Sequence, residues 1–161
     1  MKTIIKAIIA IAMMGLISFN TNAQKTNDVP QAILTSFSYK YPQAQLKNWK
    51  EKEGAYVASF TMDNKKYRAC YSKDGNWLNT EREIKHTSDL PADLRSYLKT
   101  STYASWKIDD MKRVHTPSQD MYQVLVDNHG GNSLRYEDAV SAEDRLLSFD
   151  DGGKLINVKE L

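Results

Sequence analysis

Cysteine is nearly absent from the 161-residue sequence, in which Cys70 stands alone. A disulfide within one chain is therefore excluded, and the fold must be held by a packed core. The three histidines are far apart and never at the i, i+4 spacing with which one helix can present two zinc ligands. The longest apolar stretch, residues 7–19, is shorter than the ~20 residues of a membrane-spanning helix. These shortages argue against a disulfide scaffold, a histidine zinc centre and a membrane-spanning protein.

Short catalytic motifs are also missing. The sequence has no G-x-S-x-G, H-E-x-x-H, C-x-x-C or G-x-x-x-x-G-K-[ST] segment. Acidic pairs such as Asp109–Asp110 and Asp150–Asp151 do not have the spacing of a calcium-binding loop. Cys70 has no histidine close in sequence that could activate its thiol. We therefore predict a protein that is not an enzyme and that holds no metal or other cofactor.

Residues 1–23 are typical of a secretory signal peptide. Lys2 and Lys6 give it a positive start, an uncharged stretch over residues 7–19 follows, and small residues precede the predicted cleavage point. A retained membrane anchor is the less favoured alternative, because the apolar stretch is too short to span a bilayer. We predict a mature protein that begins at Gln24, is periplasmic or secreted, and has no stable membrane insertion.

The mature chain is predicted to have no net charge. Residues 1–23 contain two lysines and no acidic residue, so the remaining 138 residues carry 20 basic and 20 acidic side chains. Nucleic-acid binding needs a concentrated basic field, which this composition does not favour. We predict no nucleic-acid partner, and a chain of this length can bury a sizeable core without disulfides.

Two segments 61 positions apart share a helical pattern. They read "DVPQAILTSFSYKYP" over residues 28–42 and "DLPADLRSYLKT" over residues 89–100. Apolar residues recur at helical spacing in both, and Pro30 and Pro91 suit the first helical turn. Pro42 is expected to end the first helix. The sequence therefore predicts two helices.

Strand and hairpin patterns follow each predicted helix. "AYVASFTM" over residues 55–62 and "MYQVLVDN" over residues 121–128 alternate at period two, and the face that begins with tyrosine is predicted to be the core. Two further segments carry glycines suited to the positive φ angles of tight turns, Gly75 and Gly153. We predict that five aromatic residues are buried: Tyr56, Phe60, Tyr71, Tyr122 and Phe149.

The matching order of these patterns predicts an α+β fold built as two tandem repeats, residues 29–84 and 90–161. Each repeat would contain one helix followed by about four antiparallel strands, with the helices packed on one face of the sheet. The spacing between matching positions grows from 66 to 78, which predicts about twelve extra residues within 127–144. This insertion could serve recognition or be a surface loop, and the sequence leaves both interpretations open.

The sequence resembles the exported PepSY-like proteins of the β-lactamase-inhibitor-like group of Bacteroidetes. The resemblance covers nearly all of residues 28–161 and rests on the signal peptide, the "VP" and "LP" helix starts and the hairpin "YSKDGNW", which fits Y-x-x-D-G-x-W. It implies a PepSY-like domain over residues 24–161 with a mainly antiparallel sheet and helices on one face. It also implies a periplasmic or secreted binding or inhibitory role with no catalytic residues.

We therefore predict a non-enzymatic, exported binding or inhibitory module that recognises an envelope or secreted protein or peptide. An antiparallel sheet covered by helices on one side leaves its other side open to a partner, and this open side is predicted to carry Val57, Ser59, Arg68, Gln123 and Leu125. The predicted partner-binding residues are Trp49, Arg68, Trp77, Leu134, Arg135 and Tyr136. The alternative is a small-molecule or ion-binding periplasmic protein that uses a cleft between the two repeats.

Export gives a direct test of the N-terminal prediction. Native protein from fractionated cells is expected to begin at or near Gln24 and to lie outside the cytoplasm, because residues 1–23 have the charge, length and small residues that signal peptidases require. Mass spectrometry of the intact protein measures this. An unprocessed protein that begins at Met1 in a membrane fraction would show that the segment is an anchor.

Overall fold

The computed structural model describes residues 28–128 and 144–161. The predicted signal peptide, the cleavage point before Gln24 and residues 129–143 of the predicted insertion lie outside the described residues, and the domain boundaries 24 and 161 stay a prediction. The two helices are α1 (Gln31–Lys40) and α2 (Ala92–Thr100), and a short 3-10 turn (Thr87–Asp89) precedes α2. The strands are β1 (Gln45–Lys52), β2 (Ala55–Met62), β3 (Lys65–Ser72), β4 (Trp77–Glu83), β5 (Lys107–His115), β6 (Asp120–Asp127), β7 (Asp144–Asp150) and β8 (Leu155–Glu160).

All eight strands form one antiparallel sheet in the order β1-β2-β3-β4-β5-β6-β7-β8. The predicted fold class, two tandem repeats of a helix and about four strands, is wrong, because residues 28–128 and 144–161 form a single eight-stranded sheet with two helices. The pairing of β4 with β5 makes the sheet continuous. The physical reason is that two separate sheets would each leave an additional strand edge with unpaired N–H and C=O groups. Among the described residues, no helix is long and apolar enough to cross a membrane.

Both helices lie on the same face of the sheet. Residues Val29, Ile33 and Phe37 of the α1 segment pack with a core cluster that includes Ala69 of β3. Ala69 is paired with Thr80 of β4, and Thr80 is paired with His115 of β5, so all three residues lie on this face. The core beneath α2 continues the same face and is formed by Leu90, Leu94 and Leu98 with Val124, Leu147 and Phe149, among others. We call this side the helix face and the opposite side the open face.

The period-two alternation of the strands correctly predicted the aromatic side chains that are buried on the helix face. All five aromatic residues expected in the core are buried: Tyr56, Phe60, Tyr71, Tyr122 and Phe149. Phe37 of α1 lies at the centre of an aromatic cluster, with its ring centroid 5.2 Å from that of Phe60 and 5.4 Å from that of Trp49. Full burial of one such side chain contributes about 1.5–3 kcal/mol, so these contacts fix each helix on the sheet.

Each helix begins one residue later than its proline pattern predicts. Pro30 and Pro91 are the N-cap residues and have extended backbone angles, φ −53° and ψ 139° for Pro30 and φ −52° and ψ 150° for Pro91. Neither helix has a side-chain cap. Proline still suits this position, since it has no N–H group that would need a partner outside the helix.

The two predicted glycine turns are confirmed, and the first turn of a helix packs against each of them. Gly75, between β3 and β4, has φ +86°, and Gly153, between β7 and β8, has φ +97°. A Cβ atom at Gly153 would lie 2.8 Å from the backbone nitrogen of Leu94 and 3.0 Å from the Cβ of Pro91. The missing side chain therefore allows α2 to approach the β7–β8 turn.

Gly153→Ala is expected to lower the free energy of unfolding by about 2 kcal/mol, because alanine at positive φ is strained and its Cβ would collide with α2. Gly152→Ala is the matched control, since a Cβ there meets only a side-chain oxygen of Asp150, at 3.4 Å; its effect should stay within about 0.5 kcal/mol. Urea unfolding of both variants measures the difference. Equal effects at the two positions would contradict the close packing of α2 on the turn.

Candidate functional site

The centre of the open face is formed by polar and small apolar side chains of β3 to β6. The register confirms that the five residues predicted for this side share it: Val57, Ser59, Arg68, Gln123 and Leu125. Several of its central residues are almost inaccessible to solvent although α1 and α2 lie on the other face. Val114 is 1% exposed, Gln123 3% and Lys112 5%. The open face therefore has a buried polar centre.

Three charged side chains from neighbouring strands meet at this centre, and we call them the charged triad: Arg68, Glu81 and Lys112. Arg68 Nη2 lies 2.8 Å from Glu81 Oε2, and Lys112 Nζ lies 2.8 Å from Glu81 Oε1. Each oxygen of the Glu81 carboxylate thus receives one charged donor. Charge-assisted hydrogen bonds of this length are strong, and they offset part of the cost of removing the charges from water.

The Cys70 thiol lies beside the charged triad and is buried. Burial raises its pKa to about 11, and the negative charge of Glu81 acts in the same direction. The thiol therefore stays protonated at neutral pH and is a poor nucleophile. This agrees with the lack of a histidine close to Cys70 in the sequence that could activate its thiol.

Gln123 is a poorly satisfied polar side chain of the open face. Its Nε2 lies 3.9 Å from the Met121 sulfur, a weak acceptor, and its Oε1 is buried without a hydrogen-bond partner. An unmade hydrogen bond of a buried group costs about 1–3 kcal/mol. Gln123 and the neighbouring Lys112 occupy directly opposed positions of β6 and β5, so the unsatisfied amide belongs to the same polar centre as the charged triad.

A second polar group lies on the helix face, between the two core clusters, where β4 meets β5. We call it the polar seam and define it by Trp77, Thr80 and Arg82 of β4, Arg113 and His115 of β5, and Asp120 of β6.

Contacts at the α1 side of the seam centre on Trp77. Trp77 Nε1 donates a hydrogen bond to Thr80 Oγ1 at 2.8 Å, and the Tyr41 hydroxyl also contacts that oxygen. Lys40 Nζ lies 3.7 Å from the centroid of the Trp77 ring, which is a cation–π contact. The His115 ring lies 5.1 Å from Trp77 on the next strand.

Ion pairs form the other side of the seam. Arg113 Nη2 lies 2.8 Å from Asp120 Oδ2 and 2.7 Å from Asp151 Oδ1, and His115 Nδ1 contacts Asp120 Oδ1. Burial alone would raise the pKa of Asp120, but hydrogen bonds and charges from His115 and Arg113 outweigh it and lower that pKa below its ordinary value. Asp120 therefore stabilises the fold above the ordinary aspartate pKa, and this contribution is lost as the pH falls through its lowered value.

The structure separates the residues predicted to bind a partner. Trp49 is 1% exposed and packs beneath α1 against Phe37 and Tyr71. Arg68 lies on the open face, whereas Trp77 lies on the helix face in the polar seam. Leu134, Arg135 and Tyr136 lie outside the described residues. Trp49 belongs to the core cluster of α1 and Trp77 packs against the same cluster, so only Arg68 lies on the open face. The roles of all three in partner binding stay predictions.

Sequence reasoning missed Glu81 and Lys112, the two partners that complete the charged triad. Alternation along β4 could have placed Glu81 on the side of the strand opposite Thr80. Lys112 had no local signal, because its contact with Glu81 spans 31 positions and depends on the pairing of β4 with β5. Within residues 28–128 and 144–161, no group of three or more His, Cys, Asp or Glu side chains could hold a metal ion.

Known proteins share both the sequence pattern and the fold. A family model described as "Putative beta-lactamase-inhibitor-like, PepSY-like" matches residues 54–157. Among solved structures, a BLIP-like protein from Bacteroides fragilis is similar at 26% identity and a TM-score of 0.67, over 82% of this chain and 86% of that chain. No curated protein matches the chain significantly.

Two further solved structures show the same fold at lower identity. A DUF2874 family protein from Bacteroides ovatus has 20% identity and a TM-score of 0.67, over 81% of this chain and 86% of that chain. A protein from Bacteroides eggerthii described as "putative periplasmic" has 17% identity and a TM-score of 0.66, over 82% of this chain and 88% of that chain. At these identities the likeness extends to the fold alone.

Glu81→Gln is expected to lower the free energy of unfolding by about 3 kcal/mol, because it leaves Lys112 and Arg68 without their carboxylate in a buried setting. Glu83→Gln is the matched control on the same strand: its partner is Lys66, and the two side chains are 37% and 59% exposed. That change should cost less than about 1 kcal/mol. Urea unfolding at neutral pH measures both. Equal losses would show that the charged triad is no more stabilising than a surface ion pair.

Proposed function

The chain belongs to the PepSY-like, β-lactamase-inhibitor-like family, which confirms the resemblance seen in the sequence, and we propose that it is an exported module that binds a protein or peptide partner through its open face. We propose that the partner lies in the cell envelope or outside the cell. The protein acts by binding and has no catalytic step of its own. Its partner contacts Arg68, the most exposed member of the charged triad, and the half-buried residues around it.

The observation that carries this proposal is the charged triad at the centre of a sheet face on which neither α1 nor α2 packs. Replacing a buried ion pair with apolar residues of similar size is often neutral or stabilising, so stability alone does not favour three charges at this place. Desolvated charges that hold a fixed geometry do favour recognition of a partner with matching polar groups. Arginine is also enriched at protein interfaces.

The composition of the surrounding face supports recognition of another protein more than recognition of a small apolar molecule. Val57, Ser59 and Leu125 are half-buried and mix apolar and polar character around the triad. Interfaces that form reversibly are about as apolar as the rest of a protein surface. An apolar ligand would instead favour a deep pocket lined by hydrophobic side chains.

Support for export and for a non-enzymatic role comes from the sequence and from the relatives. Residues 1–23 have the pattern of a signal peptide, and the similar protein of Bacteroides eggerthii is described as "putative periplasmic". The family description refers to inhibitor-like proteins and names no reaction. We further propose that Leu134, Arg135 and Tyr136 of the insertion contact the same partner, since an insertion is a common place for specificity.

Ser59→Trp tests the open face by adding bulk beside Arg68, which Ser59 faces across the β2–β3 pair. The tagged Ser59→Trp variant and the tagged parent protein are each captured with their partners from the envelope fraction. The variant should retain a partner at least about tenfold less well, which corresponds to a loss of ~1.4 kcal/mol in binding free energy. Tryptophan is well tolerated in strands, so the variant is expected to fold. Quantitative mass spectrometry of the retained proteins measures the change.

Ser96→Trp is the matched control, because it makes the same substitution on the exposed surface of α2. It should retain the partner as well as the parent protein does. Unfolding curves of both variants establish that each is folded. If the parent and both variants retain the same proteins in the same amounts, or if none enriches any protein over the bare resin, the open face is not the binding surface.

A further inference from the structure

We propose that the polar seam contains an anion-binding site in which Arg82 and Arg113 bind an oxyanion, the chemistry shared by carboxylate and phosphate groups. Arg82 of β4 and Arg113 of β5 are directly opposed in the antiparallel ladder and point to the helix face. Directly opposed residues have Cβ atoms about 4.5–5.5 Å apart. Two guanidinium groups can therefore approach one anion from neighbouring strands.

Like charges at opposed positions are unfavourable, and arginine cannot relieve the repulsion by losing its proton. Arg113 has two carboxylate partners, Asp120 and Asp151. Arg82 has no ion pair with any residue in the described part of the chain. The positive charge of Arg113 is thus compensated by carboxylates, whereas that of Arg82 is not. An anion between the two arginines would compensate the charge of Arg82.

The Asp contacts leave donors of Arg113 available. Both contacts use Nη2, so Nη1 is not needed for them, and the side chain as a whole is 35% exposed. A guanidinium group presents its donors as a planar fork that matches the two oxygens of a carboxylate or phosphate. Arg82 is half-buried beside it, so its charge is also within reach of solvent.

Tyrosines flank the arginine pair along the same row of the sheet. Tyr67 of β3 is opposed to Arg82, and Tyr122 of β6 is opposed to Arg113, whose guanidinium lies 5.7 Å from the Tyr122 ring centroid. This row runs from Tyr67, which packs against the core cluster of α1, to Tyr122, which belongs to the core cluster of α2. The arginine pair therefore lies between the two core clusters, with a tyrosine on each side.

The local charge also favours an anion. The seam and its neighbours contain three basic side chains, Lys40, Arg82 and Arg113, and two acidic ones, Asp120 and Asp151. The excess of one positive charge attracts anions of small size. The site lies on the opposite side of the sheet from the proposed partner surface, so either proposal can fail without affecting the other.

Unfolding of the mature protein at equal ionic strength tests this site with three probes: sodium chloride, sodium phosphate and sodium acetate. Phosphate, acetate or both should raise the melting temperature above its value in chloride in a saturable way, because an anion that binds only the folded state stabilises it. The anion that gives the larger increase in melting temperature is the oxyanion that the site prefers. Isothermal titration calorimetry with that anion then gives the dissociation constant.

Arg82→Gln should raise the dissociation constant at least tenfold and remove the shift. In chloride alone the variant should melt at the same temperature as the parent protein or higher, because the opposed charge is gone. Arg95→Gln is the matched control: Arg95 lies on α2 and its Nη1 donates a hydrogen bond to the Ser88 carbonyl at 2.9 Å, away from the seam. This control should bind the anion as the parent does.

Asp151→Asn provides a second test that does not remove an arginine. It removes a carboxylate that competes for Arg113, so the anion should bind at least twofold more tightly. The proposal is overturned if neither phosphate nor acetate acts differently from chloride on the parent protein. It is also overturned if Arg82→Gln keeps the parent's dissociation constant. Asp151→Asn decides the matter if Arg82→Gln fails to fold, and the proposal is overturned if Asp151→Asn binds the anion no more tightly than the parent.

Discussion

The pairing of β4 with β5 is the contact on which the rest of the structure depends. Its register runs from the pair Thr80–His115 to the pair Glu83–Lys112. This short ladder joins the strands that follow α1 to those that follow α2, and it keeps one face continuous beneath both helices. It also brings Lys112 to Glu81, 31 positions earlier in the chain. Both polar groups of the molecule exist because these two strands pair.

Neighbouring residues of β4 and β5 point to opposite faces of the sheet and belong to different polar groups. Glu81 and Lys112 point to the open face and join the charged triad, whereas Arg82 and Arg113 point to the helix face and lie in the polar seam. Since successive side chains of a strand leave opposite sides of the sheet, the two groups are one residue apart in sequence but separated by the backbone layer. The partner proposed for one face and the anion proposed for the other would therefore not compete for the same side chains.

Polar groups at the centre of the sheet reduce the stability that an apolar sheet of the same size could reach. Gln123 Oε1 and Arg113 Nε are buried without a hydrogen-bond partner, and each such group costs about 1–3 kcal/mol. Sequence and structure usually agree at every level in a stable fold, and departures concentrate where a protein binds something. Gln123 lies on the open face and Arg113 in the polar seam, whereas two further buried groups without a partner, Trp49 Nε1 and the Tyr71 hydroxyl, lie in the core beneath α1.

The sequence by itself determined what depends on near neighbours: the helices after Pro30 and Pro91, the buried faces of the strands, and the glycine turn at Gly153. Those features follow from side-chain spacing and backbone angles over a few residues. Only the tertiary structure decided that the strands form one sheet, because the register between β4 and β5 joins segments separated by α2. It also decided the face of Trp77, since an irregularity in the β3–β4 pairing interrupts the alternation that would have assigned it.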